Sequence, residues 1–185
     1  SVGSCTADCN GVIGGTAYFD DCNICVAGNT GKTACVTQTI NLNAGWNLFS
    51  INVIPDNNSV ETVFADIIQE LVLIKNTDSF WLNNRNTNYN SLKSITAGKG
   101  YIANMKSAKI LSVKGTPISI LPMPANTLGW KLIGCPYPSA ISFSTIYNSS
   151  NCEIIKNFEG IWIPNGSSNT INNIEPGKAY FIKIK

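Results

Sequence analysis

The hexapeptide GWNLFS, residues 45–50, is followed 84 residues later by a close copy, GWKLIG at 129–134. Three further segments recur in the same order: LIKN (73–76) as IIKN (154–157), FWLNN (80–84) as IWIPN (161–165), and AGKGYI (97–102) as PGKAYF (176–181). The offset between the copies falls from 84 to 81 to 79 residues, so the second copy has shorter loops and the same order. This repeat predicts two homologous modules of about 70–80 residues each.

The apolar residues of each copy alternate in short runs, which is typical of β-strands. In the first copy the runs that predict strands are 39–42, 46–53, 72–75, 79–82, 101–104 and 110–113. After the second run, Ser59 is a candidate N-cap, and the apolar residues of 60–71 share one helical face. The corresponding helix of the second copy is shorter, at 142–147. We therefore expect an α+β, mostly β fold with one helix in each module.

Composition and the repeat together divide the chain into three segments. We expect a cysteine-rich, disulfide-held segment at 1–36, a first module at 37–115 and a second module at 116–185. Apolar residues make up 44% of the chain, which is enough for packed cores, whereas charged residues make up only 13%. A surface rich in Asn, Ser and Thr is common in extracellular β-proteins. The net charge of +2 is too small to indicate binding to nucleic acid or to an anionic membrane.

The chain has seven cysteines and no histidine. Cysteines this dense near one end fit an oxidising compartment, so we expect a secreted or cell-surface protein. The lack of histidine removes the commonest general base and the commonest zinc ligand, and no carboxylate pair recurs in both copies with the spacing of a glycosidase. No run of 18 apolar residues predicts a membrane span. We expect a non-enzymatic piece of a longer parent chain, with the other domains of that parent as partners.

Five of the cysteines lie in the first segment, which has too little apolar material for a core. Disulfides are expected to hold it, each contributing about 2–4 kcal/mol. The odd cysteine pairs across modules, pairs with a missing upstream repeat, or stays free. Another interpretation is a four-thiolate zinc site that includes the CxxC at 22–25, although the secreted composition favours disulfides. The sequence leaves the pairing open among Cys5, Cys9, Cys22, Cys25 and Cys35.

Cys135 and Cys152 flank the shortened helix of the second copy and have no counterparts in the first. A disulfide between them would replace the packing that is lost with the shorter helix. We therefore predict that these two cysteines form a bond.

Calcium is the second metal for which the sequence offers ligands. Asp8, Asn10, Asp20 and Asp21 place oxygen atoms beside the cysteines of the first segment, as a hard cation requires. The regular ladder of a calcium loop is absent, and Asp and Asn also serve as turn formers. Both interpretations are open.

The four tryptophans divide into two kinds. Trp46 and Trp130 open alternating strands and are predicted to be core residues. Trp81 and Trp162 each lead into a polar loop that contains asparagine. An aromatic face beside amide groups suits a neutral sugar ring, although packing beneath the loop is the alternative. The predicted ligand-binding residues are Trp81, Asn83, Asn84, Arg85, Tyr89, Trp162 and Asn165.

The first segment resembles a cysteine-rich repeat that occurs in tandem in secreted and surface proteins of Bacteroidota, and it is distantly similar to thrombospondin type 3 repeats. The residues that carry the resemblance are DCNGVIGGTAYFD at 8–20, Cys22, Cys25, GNTG at 28–31 and Cys35. The rest of the chain is similar to a tandem C-terminal domain pair of such proteins, with GWN near its start and GKGY near its end. Ala27 and Ala179 depart from this pattern, which has glycine at both positions.

The resemblance implies a non-catalytic appendage of an exported enzyme or adhesin, and it supplies no ligand residues. With the recurring tryptophans, it leads us to expect an accessory module that binds polysaccharide or a cell-surface glycan. The alternative is a structural stalk, adhesin or assembly domain that spaces or anchors its parent protein at the cell surface, with docking through an exposed strand edge.

Overall fold

The computed structural model describes residues 6–83, 86–118 and 128–185, and strands dominate its secondary structure. Cys5, Asn84 and Arg85 lie outside these ranges. The helices are α1 (Val60–Val63), α2 (Phe143–Ile146) and the 3₁₀ turns Ala65–Glu70 and Thr87–Tyr89. The strands are β1 (Tyr18–Phe19), β2 (Cys25–Val26), β3 (Val36–Leu42), β4 (Gly45–Phe49), β5 (Val53–Ile54), β6 (Leu71–Lys75), β7 (Phe80–Leu82), β8 (Tyr101–Met105), β9 (Lys109–Pro117), β10 (Gly129–Gly134), β11 (Ile141–Ser142), β12 (Cys152–Lys156), β13 (Ile161–Trp162), β14 (Asn173–Ile174) and β15 (Ala179–Ile184). The predicted α+β, mostly β class is confirmed.

Two four-stranded antiparallel sheets coincide with the sequence repeat. The first sheet has the order β4-β8-β6-β7, and the second has the order β10-β15-β12-β13. Their registers also correspond, because Phe49 lies opposite Tyr101 and Ile133 lies opposite Tyr180. Each sheet has a shift in register at the start of its third strand, in β6 and in β12. The division into two homologous modules at 37–115 and 116–185 stays a prediction.

The inner face of the first sheet contributes to a core that also takes side chains from a three-stranded sheet of order β3-β9-β5. Ser59 caps α1 as predicted, accepting a hydrogen bond from the N–H of Thr62 at 3.3 Å. The predicted helix over 60–71 is α-helical only to Val63 and continues as a 3₁₀ turn. Residues three apart lie above one another in a 3₁₀ helix, which keeps Phe64 and Ile67 on the buried side.

The inner face of the second sheet has a separate core cluster. The Phe143 ring lies at its centre, 5.5 Å from the Trp162 ring and 5.3 Å from the Tyr180 ring. The Tyr180 hydroxyl accepts a hydrogen bond from the N–H of Glu175 at 3.1 Å, as the Tyr101 hydroxyl of the first sheet does from Thr96 at 2.8 Å. The recurring GKGY and GKAY motifs are therefore turns that place a buried tyrosine at the start of a strand.

The two sheets join through reciprocal contacts. A β-bridge pairs Phe49 with Lys178, and a second pairs Ile133 with Lys99. In the repeat, Phe49 corresponds to Ile133 and Lys99 corresponds to Lys178. Each bridge is therefore the counterpart of the other, with the roles of the two sheets exchanged. Such a reciprocal pair of contacts relates the sheets by an approximate twofold axis.

The symmetry of this junction fails at one pair of positions. Ser50 and Gly134 correspond in the repeat, and a Cβ atom on Gly134 would lie 2.5 Å from the Cβ of Ser50. The Ser50 hydroxyl uses the space, donating to the carbonyl of Lys178 at 2.6 Å and accepting from the N–H of Cys135 at 3.0 Å. One serine of the first half therefore binds two backbone groups of the second half.

Disulfides hold the cysteine-rich segment, as predicted. Cys9 pairs with Cys25, and Cys22 pairs with Cys35. The short hairpin of β1 and β2 is the regular structure of this segment within the described residues. The interpretation of 22–25 as part of a zinc site does not hold, because both of its cysteines are in disulfides.

The predicted bond between Cys135 and Cys152 is wrong, because both are free, buried thiols. Cys135 directly follows Gly134, which lies opposite Ala179, whereas Cys152 lies opposite Ile184. Five residues along β15 separate these levels by about 16 Å, beyond the 7 Å limit for the Cα atoms of a disulfide. Burial raises the pKa of both thiols to about 11.

Among the described residues, none of the helices has the length and apolar character that a membrane crossing requires.

Candidate ligand-binding surfaces

The structure reverses the predicted roles of the four tryptophans. Trp81 and Trp162 are each only 5% exposed, so the prediction that they offer a ring face to a ligand is wrong. Trp46 and Trp130, predicted as core residues, are 51% and 48% exposed. Successive residues of a strand point to opposite faces of the sheet. Trp46 therefore lies on the outer face, because its neighbour in the strand, Asn47, is the buried one.

The two buried tryptophans have structural contacts. Trp81 donates from Nε1 to the Glu61 carboxylate at 2.7 Å, which connects β7 to α1. Trp162 packs on Phe143 of α2. Each inner tryptophan therefore attaches the helix of its half to the sheet.

Each outer tryptophan is accompanied by a lysine. The Lys75 Nζ atom lies 5.7 Å from the centre of the Trp46 ring, and the Lys156 Nζ atom lies 4.7 Å from the centre of the Trp130 ring. Both distances are within the range of cation–π attraction. Trp46 with Lys75 is called the first platform here, and Trp130 with Lys156 the second platform.

The side chains around each platform are apolar and half-buried. Leu48 and Ile102 adjoin Trp46 on the outer face of the first sheet, and Leu132 and Phe181 occupy the corresponding places in the second. Trp, Lys and this Leu are identical in the two copies, whereas the fourth position changes from Ile to Phe. The outer faces are therefore related surfaces that preserve a small set of side chains.

A cleft of about 460 Å³ opens beside the first platform. It lies between strands β3 and β4 of the first half and two loops of the second half, at 157–159 and 176–178. Its aromatic groups are Trp46, the buried Phe49 and the exposed ring of Phe158. Its polar side chains are Thr39, Asn41, Asn43, Asn47, Asn157, Glu159 and Lys178.

The lysine of this cleft is paired with two glutamates, so the cluster carries one excess negative charge. The Lys178 Nζ atom lies 2.6 Å from the Glu159 carboxylate and 2.9 Å from the Glu175 carboxylate. Desolvation lowers the pKa of Lys178, but the hydrogen bonds that it donates to the two glutamates outweigh it, and the net shift is upward. The cleft therefore presents amide groups and a closed ion-pair cluster beside its aromatic rings.

The other residues predicted to bind ligand are dispersed. The Asn83 amide donates to the carbonyls of Ile68 and Leu71, at 3.0 and 2.8 Å, so its hydrogen bonds hold the backbone in place. Tyr89 is 70% exposed, and Asn165 is exposed in a turn with φ of 62°. Asn84 and Arg85 lie outside the described residues. For Tyr89 and Asn165, ligand binding stays a prediction.

Asparagine side chains cover the outer edge of each sheet. The Asn90 side chain accepts from the N–H of Leu82 at 3.0 Å and donates to its carbonyl at 3.3 Å. Asn169 does the same for Ile163, at 2.7 and 3.1 Å. These amides occupy backbone groups that an added strand would need, which blocks docking at these edges.

The candidate calcium residues form turns. The Asp8 carboxylate accepts hydrogen bonds from the N–H groups of Asn10, Val12 and Ala17, at 2.9–3.0 Å. These bonds, that of Val12 foremost, lower the pKa of Asp8. The described residues contain no group of three or more His, Cys, Asp or Glu side chains that could hold a metal ion.

Asp20 repeats the arrangement of Asp8. Its carboxylate accepts from the N–H groups of Cys22, Ile24 and Cys35, at 2.7–3.0 Å. Desolvation raises the pKa of Asp20, but these bonds and the charge of Lys32 lower it overall. The two aspartates thus use their oxygens to hold backbone, which favours the turn-forming interpretation of this segment, and Asp21 takes no part in either arrangement.

The chain matches no known family model, no curated protein and no solved structure.

Proposed function

We propose that the chain is a non-catalytic binding module that holds a polysaccharide chain against the first and second platforms. The observation that carries this proposal is the recurrence of a half-exposed tryptophan at one register position of two related sheets. Burial accounts for the recurrence of Trp81 and Trp162, but no such packing requirement applies to a side chain that is half in water. A ligand for the ring face supplies the missing reason.

The chemistry of the surface suits a sugar ring. A pyranose has an apolar face that stacks on an indole and hydroxyl groups that need directional hydrogen bonds. Beside Trp46, the cleft offers the amide groups of Asn41, Asn43 and Asn157. We place the main contact at the first platform and a second, simpler contact at Trp130.

Two platforms on one chain favour a polymer over a free sugar. A polymer that contacts one platform presents further sugar units to the other platform at high effective concentration. This raises the overall affinity beyond that of either platform alone. The two disulfides of the first segment support an extracellular setting for such a module.

The test is native affinity electrophoresis of the chain through gels that contain plant, algal or microbial polysaccharides. We expect at least one polymer to retard the chain, Trp46→Ala to lose more retardation than Trp130→Ala, and the double variant to migrate freely. Ile110→Ala is the matched control, because this residue is 62% exposed on the separate three-stranded sheet. Free migration of the wild type in every gel, or full retardation of the double variant, contradicts the proposal.

A structural or assembly role is the second candidate. The apolar side chains that surround the platforms, such as Leu48 and Phe181, favour contact with another protein surface. Because asparagine side chains cover the sheet edges at β7 and β13, we expect such an assembly to use the sheet faces. Sedimentation velocity distinguishes the candidates, because assembly predicts concentration-dependent association that Leu48→Asn reduces, without any polysaccharide present.

A further inference from the structure

We propose that the polysaccharide is anionic, carrying carboxylate or sulfate groups, and that Lys75 and Lys156 bind those groups beside the stacked ring. This inference rests on the proposed function and names its ligand class. The juxtaposition that carries it is an indole and an ammonium group within 5.7 Å at the first platform and 4.7 Å at the second.

The two ammonium groups are free of carboxylate partners. Within the described ranges 6–83, 86–118 and 128–185, the ion pairs involve Lys178 and Lys183, and neither Lys75 nor Lys156 takes part in one. The outer face of the second sheet contains both kinds of lysine. Lys183 is paired there with Glu153 at 2.8 Å, whereas Lys156 has no such partner among the described residues. The platform lysines therefore keep a positive charge that the protein itself leaves available.

The repeat preserves these lysines where it lets their neighbours change. Between the two copies, Asn104 is replaced by Lys183, and Ile102 by Phe181, on the same outer faces. An exposed cation–π contact stabilises a fold by only about 0.5–1 kcal/mol, and other side chains would cover an indole equally well. Structural demand alone is a weak reason for an identical Lys beside an identical Trp in both halves.

An acidic sugar satisfies both members of a platform at once. Its ring stacks on the part of the half-exposed indole that the lysine does not cover, and a carboxylate or sulfate at the ring's edge lies within reach of the ammonium group. Lysine is a flexible point charge, so it follows the anionic group of successive sugars without a fixed geometry. A neutral polymer would instead lie against an ammonium group and offer it only hydroxyl oxygens.

The experiment measures binding of the intact chain to two matched polymers, polygalacturonate and its fully methyl-esterified, neutral form. A sulfated and an unsulfated dextran serve as a second pair, which separates carboxylate from sulfate recognition. Lys75→Gln and Lys156→Gln remove the charges, and Lys109→Gln is the control on an exposed lysine of β9. Isothermal titration is repeated at several salt concentrations.

We expect an acidic polymer to bind more tightly than its neutral partner, with an affinity that falls as salt rises. Each platform substitution should lower that affinity about fivefold, from the loss of roughly one charge-assisted contact, and Lys→Arg should retain most of it. Lys109→Gln should bind as the wild type does.

Failure of this inference is distinguishable from failure of the proposed function. Equal binding of charged and neutral polymers that survives both lysine substitutions and is lost with Trp46→Ala and Trp130→Ala overturns the anionic ligand and leaves the binding module in place. The same loss of affinity in Lys109→Gln as in the platform variants also overturns it, since net charge would then explain the binding. If none of the polymers binds, both the anionic ligand and the binding module are overturned.

Discussion

The inner and outer faces of the two sheets preserve different things. On the inner faces, Trp81 and Trp162 recur with buried neighbours, and their partners differ, a carboxylate in one half and an aromatic ring in the other. On the outer faces, Trp46 and Trp130 recur with the same charged partner while half exposed. The inner pair therefore preserves volume, and the outer pair preserves a chemical combination.

This difference teaches that recurrence alone does not distinguish a core residue from a ligand-binding one. An inner residue recurs because the core is close-packed and tolerates few changes of volume. For an outer residue close packing supplies no such reason, and we therefore propose a ligand. Exposure decides which reason applies, and the following experiments test that division.

The largest expected effect is the loss of stability when an inner tryptophan is truncated. Trp162→Ala and Trp81→Ala should each cost about 3–5 kcal/mol in the free energy of unfolding, because each leaves a cavity beneath a sheet. Trp46→Ala and Trp130→Ala should cost under about 1 kcal/mol. Chemical denaturation measures all four. A loss at an outer position as large as at an inner one would remove the distinction between the faces.

Gly134→Ala should have the next largest effect, about 1–3 kcal/mol from overpacking. A Cβ atom here would lie 2.5 Å from both the Ser50 Cβ and the carbonyl oxygen of Lys99, so backbone must move. The substitution loosens the junction without touching either sheet face. Denaturation measures the loss, with Ser139→Ala as an exposed control nearby, and an unchanged free energy of unfolding would contradict the close contact.

The described residues of the cysteine-rich segment belong to neither core cluster, and the segment should respond to acid before the sheets do. The pKa values of Asp8 and Asp20 are lowered from the ordinary 3.8, so the folded segment binds these protons less readily than the unfolded one. Their contribution to stability is present above about pH 4 and is lost as the pH falls towards the folded pKa values.

Hydrogen exchange of the segment's amides across this pH range measures the effect. Protection of residues 8–24, taken relative to the intrinsic exchange rate at each pH, should fall in acid before that of the sheets. Asp8→Asn should raise exchange already at neutral pH, whereas Asp21→Asn should not, because the Asp21 carboxylate accepts no hydrogen bond from the described residues. Equal sensitivity in both variants would refute the role assigned to the Asp8 turn.

The smallest expected effect is that of a reducing agent on the sheets. Cys135 and Cys152 are free, so reduction should open the first segment and leave the unfolding midpoint of the sheets unchanged. With pKa values of about 11, both thiols stay protonated at neutral pH and should resist alkylation until the chain unfolds. Peptide mass mapping after alkylation checks both cysteines, and a recovered peptide in which Cys135 is linked to Cys152 would contradict the structure.

Much of the fold could be predicted from the sequence, because local patterns determine it. The repeat, the strand runs, the N-cap at Ser59 and the disulfide-held first segment depend on spacing along the chain. The orientation of Trp46 was also accessible. In 46–53 the alternate set with Phe49 and Ile51 is more apolar than the set with Trp46, Ser50 and Asn52, which predicts that Trp46 faces out. The general preference of tryptophan for the interior led to the opposite prediction.

The rest of the candidate site depends on contacts that no local pattern contains. The cleft brings Trp46 beside Asn157 and Phe158, which are distant in sequence, and it forms only because the sheets join at Phe49 and Lys178. The lack of a bond between Cys135 and Cys152 also depends on contacts that are distant in sequence. Cys135 and Cys152 are close in sequence, but their registers on β15 place them far apart.

The unequal pair at the junction, Ser50 and Gly134, bears on how such an arrangement arises. Two identical chains that met about this axis would place the same residue at both positions, either two side chains in one space or none to bridge the backbones. One chain that carries both halves is free of that constraint, because the residues at the two positions can differ. The first half of the chain therefore meets a second half that has room for its serine.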